Sequence, residues 1–555
     1  MICGISIQIM TTKKGVKVSK QNMKNKELKQ LSQTHNRVNY ESPRNYIIAI
    51  TLGILCFLLG YINLHNGQTW SGEDGGNGDF SQYLLQAFAI LQGNIDEFIQ
   101  ANQFMRTYSY DGNGPIIYPW GYPLLLAMGI KIFGFNIIML KCINLALFSL
   151  FVSGFYLVCI KSLSNKLSFL ATLLLILNPY FLHFDNRLLS DVPFMCIGIF
   201  GAYLMHYYLS ITSHHLRARD LIMGFCLGII FIIAFLIRSN GIILPVTMAC
   251  VLFLRIVLPF VKNTKLIVLI RPIANTLANI SLWYMLIPLA VFVLGYALIN
   301  MFLPNGGAGH PSMMANVISI TSILGNTFYY LNIWQYFFGN IFGAFGMVLA
   351  FPFLVFGIYI SLHRHFVLII FCAGILALNI IWPFTQGLRF VFILIPFCIY
   401  WTLLGYVAIK PPKIIANICK ILFISLLLLN IYSNLKHEWI PNIKSKGVFD
   451  LHTYSKDALQ MYDFIKNNTK QDDVIVFFAP QILYLTTNRL ALYQYDECIQ
   501  AYECMLPTLQ KTSYVLLRND DDTNSWLLWQ PFLQKIFQTS KLTLYHINLG
   551  YNISP

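Results

Sequence analysis

Long apolar runs alternate with short polar breaks over most of the chain. Eleven such runs lie at about 46–64, 136–160, 167–184, 191–210, 221–237, 241–260, 283–303, 338–361, 366–383, 389–408 and 413–432. Each approaches the roughly 20 residues that carry a helix across a bilayer core. Two segments depart from that pattern. Between Phe80 and Gln92, Leu84, Leu85, Phe88 and Leu91 recur at helical spacing with Gln82, Gln86 and Gln92 among them, which predicts an amphipathic helix lying at the membrane interface. Tyr118 to Gly134 is apolar but short and is broken by Pro119, Gly121 and Pro123, so it reads as a second interfacial helix. After Tyr432 the pattern becomes that of a soluble domain. It has an amphipathic helix over 454–467, a buried strand over 473–478 that ends before Pro480, and further strands near 513–517 and 542–547.

The expected fold class is an all-α polytopic membrane domain of about eleven transmembrane helices with a small α/β extracytoplasmic C-terminal domain. Residues 1–45 form a disordered basic tail in this reading. Residues 46–432 are the transmembrane domain, with a long first loop over 65–135, and 433–555 the soluble domain.

Composition supports this division. Charged residues are 11% of the 555 positions, far below the roughly one quarter usual in soluble proteins. The net charge of +15 matters through its placement. Lys13, Lys14, Lys17, Lys20, Lys24, Lys26, Lys29, Arg37 and Arg44 precede the first span, a pattern of membrane orientation and not of nucleic-acid binding. With the N-terminus cytoplasmic, the loops holding Lys161 and Lys166, Arg217 and Arg219, Lys262, Lys265 and Arg271, Arg364, and Lys410 and Lys413 all fall inside. The C-terminal domain then falls outside. The first apolar run begins too late in the sequence for a cleavable leader. Most cysteines sit within apolar runs and none forms a metal-binding spacing. Cys498 and Cys504 share a soluble segment, either as a disulfide or as free thiols.

The opposite face collects the polar features: Glu73, Asp74, Asp79, Asp96, Glu97 and Asp111 in the first loop, Asp185-Asn186-Arg187 through Asp191, Arg238, His310, and Gln386 to Arg389. Asp79 stands where the loop enters a helix, as an N-cap or as a general base held at the lipid–water boundary. Arg187 and Asp191 have the spacing of a pair across one helical turn. Arg238 and Arg389 have no acidic neighbour in sequence. An arginine at that depth reaches for a phosphate, of bulk lipid or of a specific substrate. Ionisable residues on this side of the membrane are retained against the charge rule, which makes them functional candidates. The run GEDGGNGD has the composition of a calcium loop without its ligand register, so no metal is expected.

Four segments, in order, carry a resemblance: GDFSQYLLQAFAILQG, YPWGYPLLLAMGIKIFG, LNPYFLHFDNRLLSDVPF, and the pair LIRSNGIILP and GLRFVFILIPF. Together they resemble the GT-C superfamily of membrane glycosyltransferases, in particular its protein O-mannosyltransferase-like and aminoarabinose-transferase-like branches. Many members carry Asp-Glu in the first loop, whereas here Phe80 follows Asp79.

The resemblance implies a multi-pass enzyme of the bacterial cytoplasmic membrane. It would move one sugar, with inversion, from a polyprenyl-phosphate donor to a glycan, lipid or protein hydroxyl on the outer face. Asp79 would be the general base, and Arg238, Arg389 and Arg187 would hold the donor phosphate. Asp191, Tyr118, Tyr122 and His310 would face substrate, and no cofactor is implied. The rival class is a transporter or flippase of a lipid-linked or anionic solute. Such proteins carry internal repeats and ionisable groups near the midplane, and neither pattern occurs here. A topology reporter fused after residue 440 is expected to read outside, and one in the 211–220 loop inside. A cytoplasmic C-terminus would separate the soluble domain from the outer face on which Asp79 is expected to act.

Overall fold

The computed structural model describes residues 42–548 except 69–78, 111–113, 212–216, 261–272, 304–318, 383–384, 449–451, 494–506, 520–531 and positions 276 and 279. His310, Glu73, Asp74, Asp111, Cys498 and Cys504 lie outside the described residues. The helices in chain order are α1 (Pro43–Asn63), α2 (Asp79–Gln92), α3 (Ile95–Tyr108), α4 (Gly121–Phe133), α5 (Ile137–Cys159), α6 (Asn165–Ile176), α7 (Pro179–Asp185) and α8 (Asp191–Ile211). They continue with α9 (Ala218–Ile237), α10 (Ser239–Phe260), α11 (Trp283–Phe302), α12 (Ile320–Asn332), α13 (Ile341–Ser361), α14 (Phe366–Ile381), α15 (Phe392–Ile409) and α16 (Lys413–Ser445). The soluble domain adds α17 (Lys456–Asn468) and α18 (Pro480–Thr487).

All eleven expected runs are helical, but they do not all make full spans. Among the described residues nine helices are long and apolar enough to cross a membrane, and α6 with α7 makes a tenth if the pair counts as one. That pair bends by 52°. Asn178 leaves the helical backbone and its side chain accepts from the Tyr180 amide at 2.9 Å, while Pro179 opens α7 without an N–H to carry the ladder on. The α14 helix has 16 residues, short of a full crossing. It stops because Trp382 is extended, the conformation forced on a residue preceding a proline, here Pro383.

The centre of the bundle is aromatic. Phe148, Phe181 and Phe392 stack in series, with ring centroids 5.2 and 4.3 Å apart, and join α5, α7 and α15. Helices α11, α13 and α16 keep apolar side chains such as Leu298, Val348 and Ile421 exposed, the surface a hydrocarbon solvent would cover. The α13–α15 crossing is made by glycines. A Cβ on Gly405 would run into the Phe353 carbonyl, and one on Gly357 into the Trp401 carbonyl, so the two backbones touch. Small residues at such crossings let membrane helices gain packing that larger side chains prevent.

The soluble domain holds a five-stranded sheet in the order β2–β1–β3–β5–β4. The strands are β1 (Ile475–Val476), β2 (Ala491–Leu492), β3 (Tyr514–Arg518), β4 (Leu533–Gln538) and β5 (Leu542–Ile547). β1 runs parallel to β2 and β3, and β3–β5 and β5–β4 are antiparallel. The expected helix and three strands are present; β2 and β4 were not foreseen. The domain docks on the first loop. Tyr484 and Leu485 of α18 pack against the cluster of Leu85, Ala89, Phe98 and Trp120, and the Tyr110 amide donates to the Tyr493 carbonyl at 3.0 Å. This contact gives α2 a protein cover that its amphipathic pattern did not show. With α4 and α18 against it, α2 buries both faces, and Gln82 and Gln86 are 1% and 0% exposed.

Replacing Gly405 by Leu is expected to force α13 and α15 apart at a cost of about 1–3 kcal/mol, typical of overpacking. Thermal unfolding in detergent measures it. Gly154→Leu is the control, since a Cβ there meets nothing within 4 Å and its thermal midpoint should stay put.

Candidate active site

Four chain segments far apart in sequence meet at the end of the bundle that carries the soluble domain. Asp79 is the first residue of α2 and Asp191 the first of α8, so each carboxylate sits at the positive end of a helix. The turn before Asp191 is fixed from below by polar residues of α5. Asn144 donates to the carbonyls of Arg187 and Leu189 at 3.0 and 3.3 Å, and the Lys141 ammonium donates to Asn186 Oδ1 at 2.9 Å. Lys141 also donates to the carbonyls of His65 and Gly67, which ties the end of α1 to the same turn. Arg238 follows the last residue of α9 in extended conformation. The chain turns back at once: the Gly241 amide donates to the Arg238 carbonyl at 2.8 Å, and Gly241 lies so close to the Ala234 carbonyl that no side chain fits. Arg389 ends a short turn held by Tyr329, whose hydroxyl accepts from the Gly387 amide at 2.9 Å, and by Asn379, which donates to the Phe390 carbonyl at 2.7 Å.

These four side chains form one ionic network. Arg389 Nε donates to both oxygens of Asp191 at 3.1 Å, and its Nη2 lies 3.0 Å from Asp191 Oδ2 and 2.9 Å from Asp79 Oδ2. Its Nη1 donates to Gln386 Oε1 at 3.1 Å. Arg238 Nη1 pairs with Asp191 Oδ1 at 3.0 Å and donates to Ser190 Oγ at 3.2 Å. The side chain of Arg389 is 4% exposed and that of Arg238 16%, so Arg238 is the arginine that opens to the outside. Burial alone would favour a neutral guanidine at Arg389. The carboxylates of Asp191 and Asp79 outweigh it and hold the group protonated well above its usual range.

Tyrosines close the other side of Asp79. Tyr118 donates its hydroxyl to Asp79 Oδ1 at 2.6 Å, and Tyr83 shares a 2.8 Å hydrogen bond with Ser190. The two rings pack with centroids 4.7 Å apart. Burial, and then the Asp79 carboxylate, pushes both phenols above their ordinary range, so both hydroxyls stay protonated. Beside the network a small cleft is lined by the polar Asp191, Arg238, Asn240 and Arg389 together with the apolar Phe194, Phe390, Phe392 and Ile393.

The structure therefore brings together Asp79, Tyr118, Asp191, Arg238 and Arg389. It rejects the Arg187–Asp191 pair that the four-residue spacing suggests, because α8 begins at Asp191 and leaves Arg187 on the preceding turn; Asp191 instead pairs with two distant arginines. Tyr122 is fully buried behind the cleft, with its ring edge on Tyr83 and its hydroxyl against Asn144, so it supports the site and does not line it. Tyr83 was not singled out in the sequence, and Ser190 and Gln386 only as members of polar stretches. Tyr83 was the findable one, four residues after Asp79 on the same helix face. Among the described residues no group of three or more His, Cys, Asp or Glu is placed to hold a metal ion.

No family model matches the sequence, and no curated protein does. Solved structures do. ArnT from Cupriavidus metallidurans bound to undecaprenyl phosphate superimposes with a TM-score of 0.53 at 11% identity, covering 92% of this chain and 98% of that one. The archaeal oligosaccharyltransferase AglB from Archaeoglobus fulgidus, in complex with an inhibitory peptide and a dolichol-phosphate, gives 0.52 at 12% identity over 93% of this chain and 75% of that one. At such identities it is the architecture that is shared: the chain has the overall fold of these two solved structures.

Proposed function

We propose that the chain is an inverting glycosyltransferase that moves a single sugar from a polyprenyl-phosphate donor to a hydroxyl acceptor. The observation that carries the reading is the joining of Asp79 and Arg238 through the Arg389–Asp191 pair beside a small cleft. Solved structures of the same fold hold undecaprenyl phosphate or dolichol-phosphate, lipids whose anionic head is matched in charge by the more exposed Arg238.

The chemistry follows from what the two ends of the network offer. The acceptor oxygen attacks the anomeric carbon as the bond from that carbon to the phosphate oxygen breaks. The hydroxyl proton passes to the Asp79 carboxylate. The bonding pair leaves with the polyprenyl phosphate, which needs no proton because it is already a stable anion, but does need cations to hold its growing charge. Arg238 supplies that contact from the exposed edge of the network. Arg389 adds its charge from behind while it holds Asp79 in place. Inversion requires base and leaving group on opposite faces of the sugar, the arrangement of inverting glycoside chemistry. Arg187, whose carbonyl accepts from Asn144 at 3.0 Å beside the network, is a third candidate cation for the phosphate.

Asp79→Asn is expected to cut turnover about 10²- to 10⁴-fold, the usual loss for a general base. Thermal stability should hold, because asparagine is nearly isosteric and still accepts from Arg389. Parent-like turnover would move the base elsewhere. The arginines should separate in a second measurement. Arg238→Ala is expected to weaken donor use about ten- to hundredfold with the protein intact, the scale of one charge-assisted contact. Arg389→Ala should also lower stability, by about 3–5 kcal/mol, because it leaves the largely buried Asp79 without its cation and Asp191 with Arg238 alone. Equal stability of the two variants would contradict this division.

A further inference from the structure

Tyr118 is gripped along its whole length by one face of α2. Asp79, Tyr83 and Gln86 follow one another at intervals of four and three residues, the spacing of a single helix face. Asp79 accepts from the Tyr118 hydroxyl, and Tyr83 packs on the Tyr118 ring. Gln86 takes the backbone: its Nε2 donates to the Tyr118 carbonyl at 2.9 Å, and its Oε1 accepts from the Tyr118 amide at 3.0 Å. The side-chain amide thus makes both bonds that a neighbouring strand would make. Gln86 is completely buried, as are Ile117 and Trp120 on either side of the gripped residue. Pro119 follows Tyr118 and has no N–H to offer, so the segment has no regular ladder to join. A buried polar side chain with both ends committed to the backbone of one residue, through the peptide groups before and after it, fixes that residue's position and orientation.

We propose that Gln86 is a positioning residue for glycosyl transfer: it fixes the Tyr118 backbone, and the Tyr118 hydroxyl in turn fixes the Asp79 carboxylate toward the acceptor. The assignment rests on Asp79 being the base. It places the control of that carboxylate two helical turns away, about 10 Å along α2, on a residue that touches no substrate. A misplacement of the base by a fraction of an ångström slows transfer without changing how the donor's phosphate is held.

The test is a double-mutant cycle on the full-length protein, with initial rates measured on a polyprenyl-phosphate sugar that the parent enzyme turns over. Gln86→Leu removes both backbone bonds at similar volume, and Gln86→Met is a second variant with a straighter, more adaptable side chain. Each is expected to lower kcat about ten- to hundredfold while donor KM stays within about twofold. Tyr118→Phe should show the same split. The double variant Gln86→Leu/Tyr118→Phe should be no slower than Tyr118→Phe alone, because Gln86 acts only through that hydroxyl. Losses that multiply, a parent-like kcat in the Gln86 variants, or a KM effect alone would overturn the proposal. So would failure to recover folded protein from both Gln86 variants, which would make the residue structural only. Asp79→Asn assayed in parallel keeps the two ideas apart: an active Asp79→Asn sinks the base itself, whereas an inactive one beside parent-like Gln86 variants sinks only the positioning role.

Discussion

The Arg389 guanidinium ties together three parts of the molecule that are far apart in sequence. It is held by Asp79 from 310 positions earlier and by Asp191 from 198 positions earlier, and it is buried among them. A charge so placed has lost most of its hydration, and only carboxylates at hydrogen-bond distance restore the balance. The entry of α2, the entry of α8 and the turn before α15 therefore depend on one another. Four opposite charges, two on arginines and two on aspartates, cancel within the network. An arriving anionic head must compete for cations already engaged, and the more exposed Arg238 is where that competition begins.

Beneath this network the bundle is polar in a different way. Lys141 and Asn144 project from the middle of an apolar helix, yet their partners are chiefly backbone carbonyls and the Asn186 amide oxygen. In a low-dielectric interior such groups are costly unless every donor is used. Here they are spent on the irregular turns beside Asp191 and after α1, where peptide carbonyls lack helical partners. Non-helical backbone at such a depth is tolerated where protein supplies the missing bonds. The floor of the site and its chemistry are thus built from separate sets of polar residues.

Much of this was legible in the sequence, and the failures have physical causes. Apolar run length found all nine helices that, among the described residues, are long and apolar enough to cross a membrane, because a bilayer core demands such runs. It overstated α14, since a window average does not see that Trp382 precedes a proline. Asp79, Asp191, Arg238 and Arg389 could be picked out as charges at span ends on the wrong side of the charge rule. Their partners could not, because Arg238 and Arg389 meet acids only through tertiary packing. The helical spacing of α2 was read correctly and its environment wrongly. Its glutamines looked like a wet face, whereas Gln82 and Gln86 are buried, Gln86 against the Tyr118 backbone, a tertiary contact that a period-3.6 pattern cannot reveal. The two-residue strands β1 and β2 show the same limit, being defined more by their neighbours than by their own residues.

The docking of the soluble domain on α2 has a bearing on how such proteins diversify. Tyr493 and Thr508 bond to Ser109 and to the Tyr108 carbonyl, while Tyr484 and Leu485 lie on the helix that begins with Asp79. The domain is thus packed into the first loop and is not a detachable module. Grafting the corresponding domain of another protein onto this bundle would strip one flank of α2 unless the 79–120 segment travelled with it. Inheritance should therefore treat the first loop and the C-terminal domain as a single unit, exchanged together or not at all, although more than 300 residues of chain separate them.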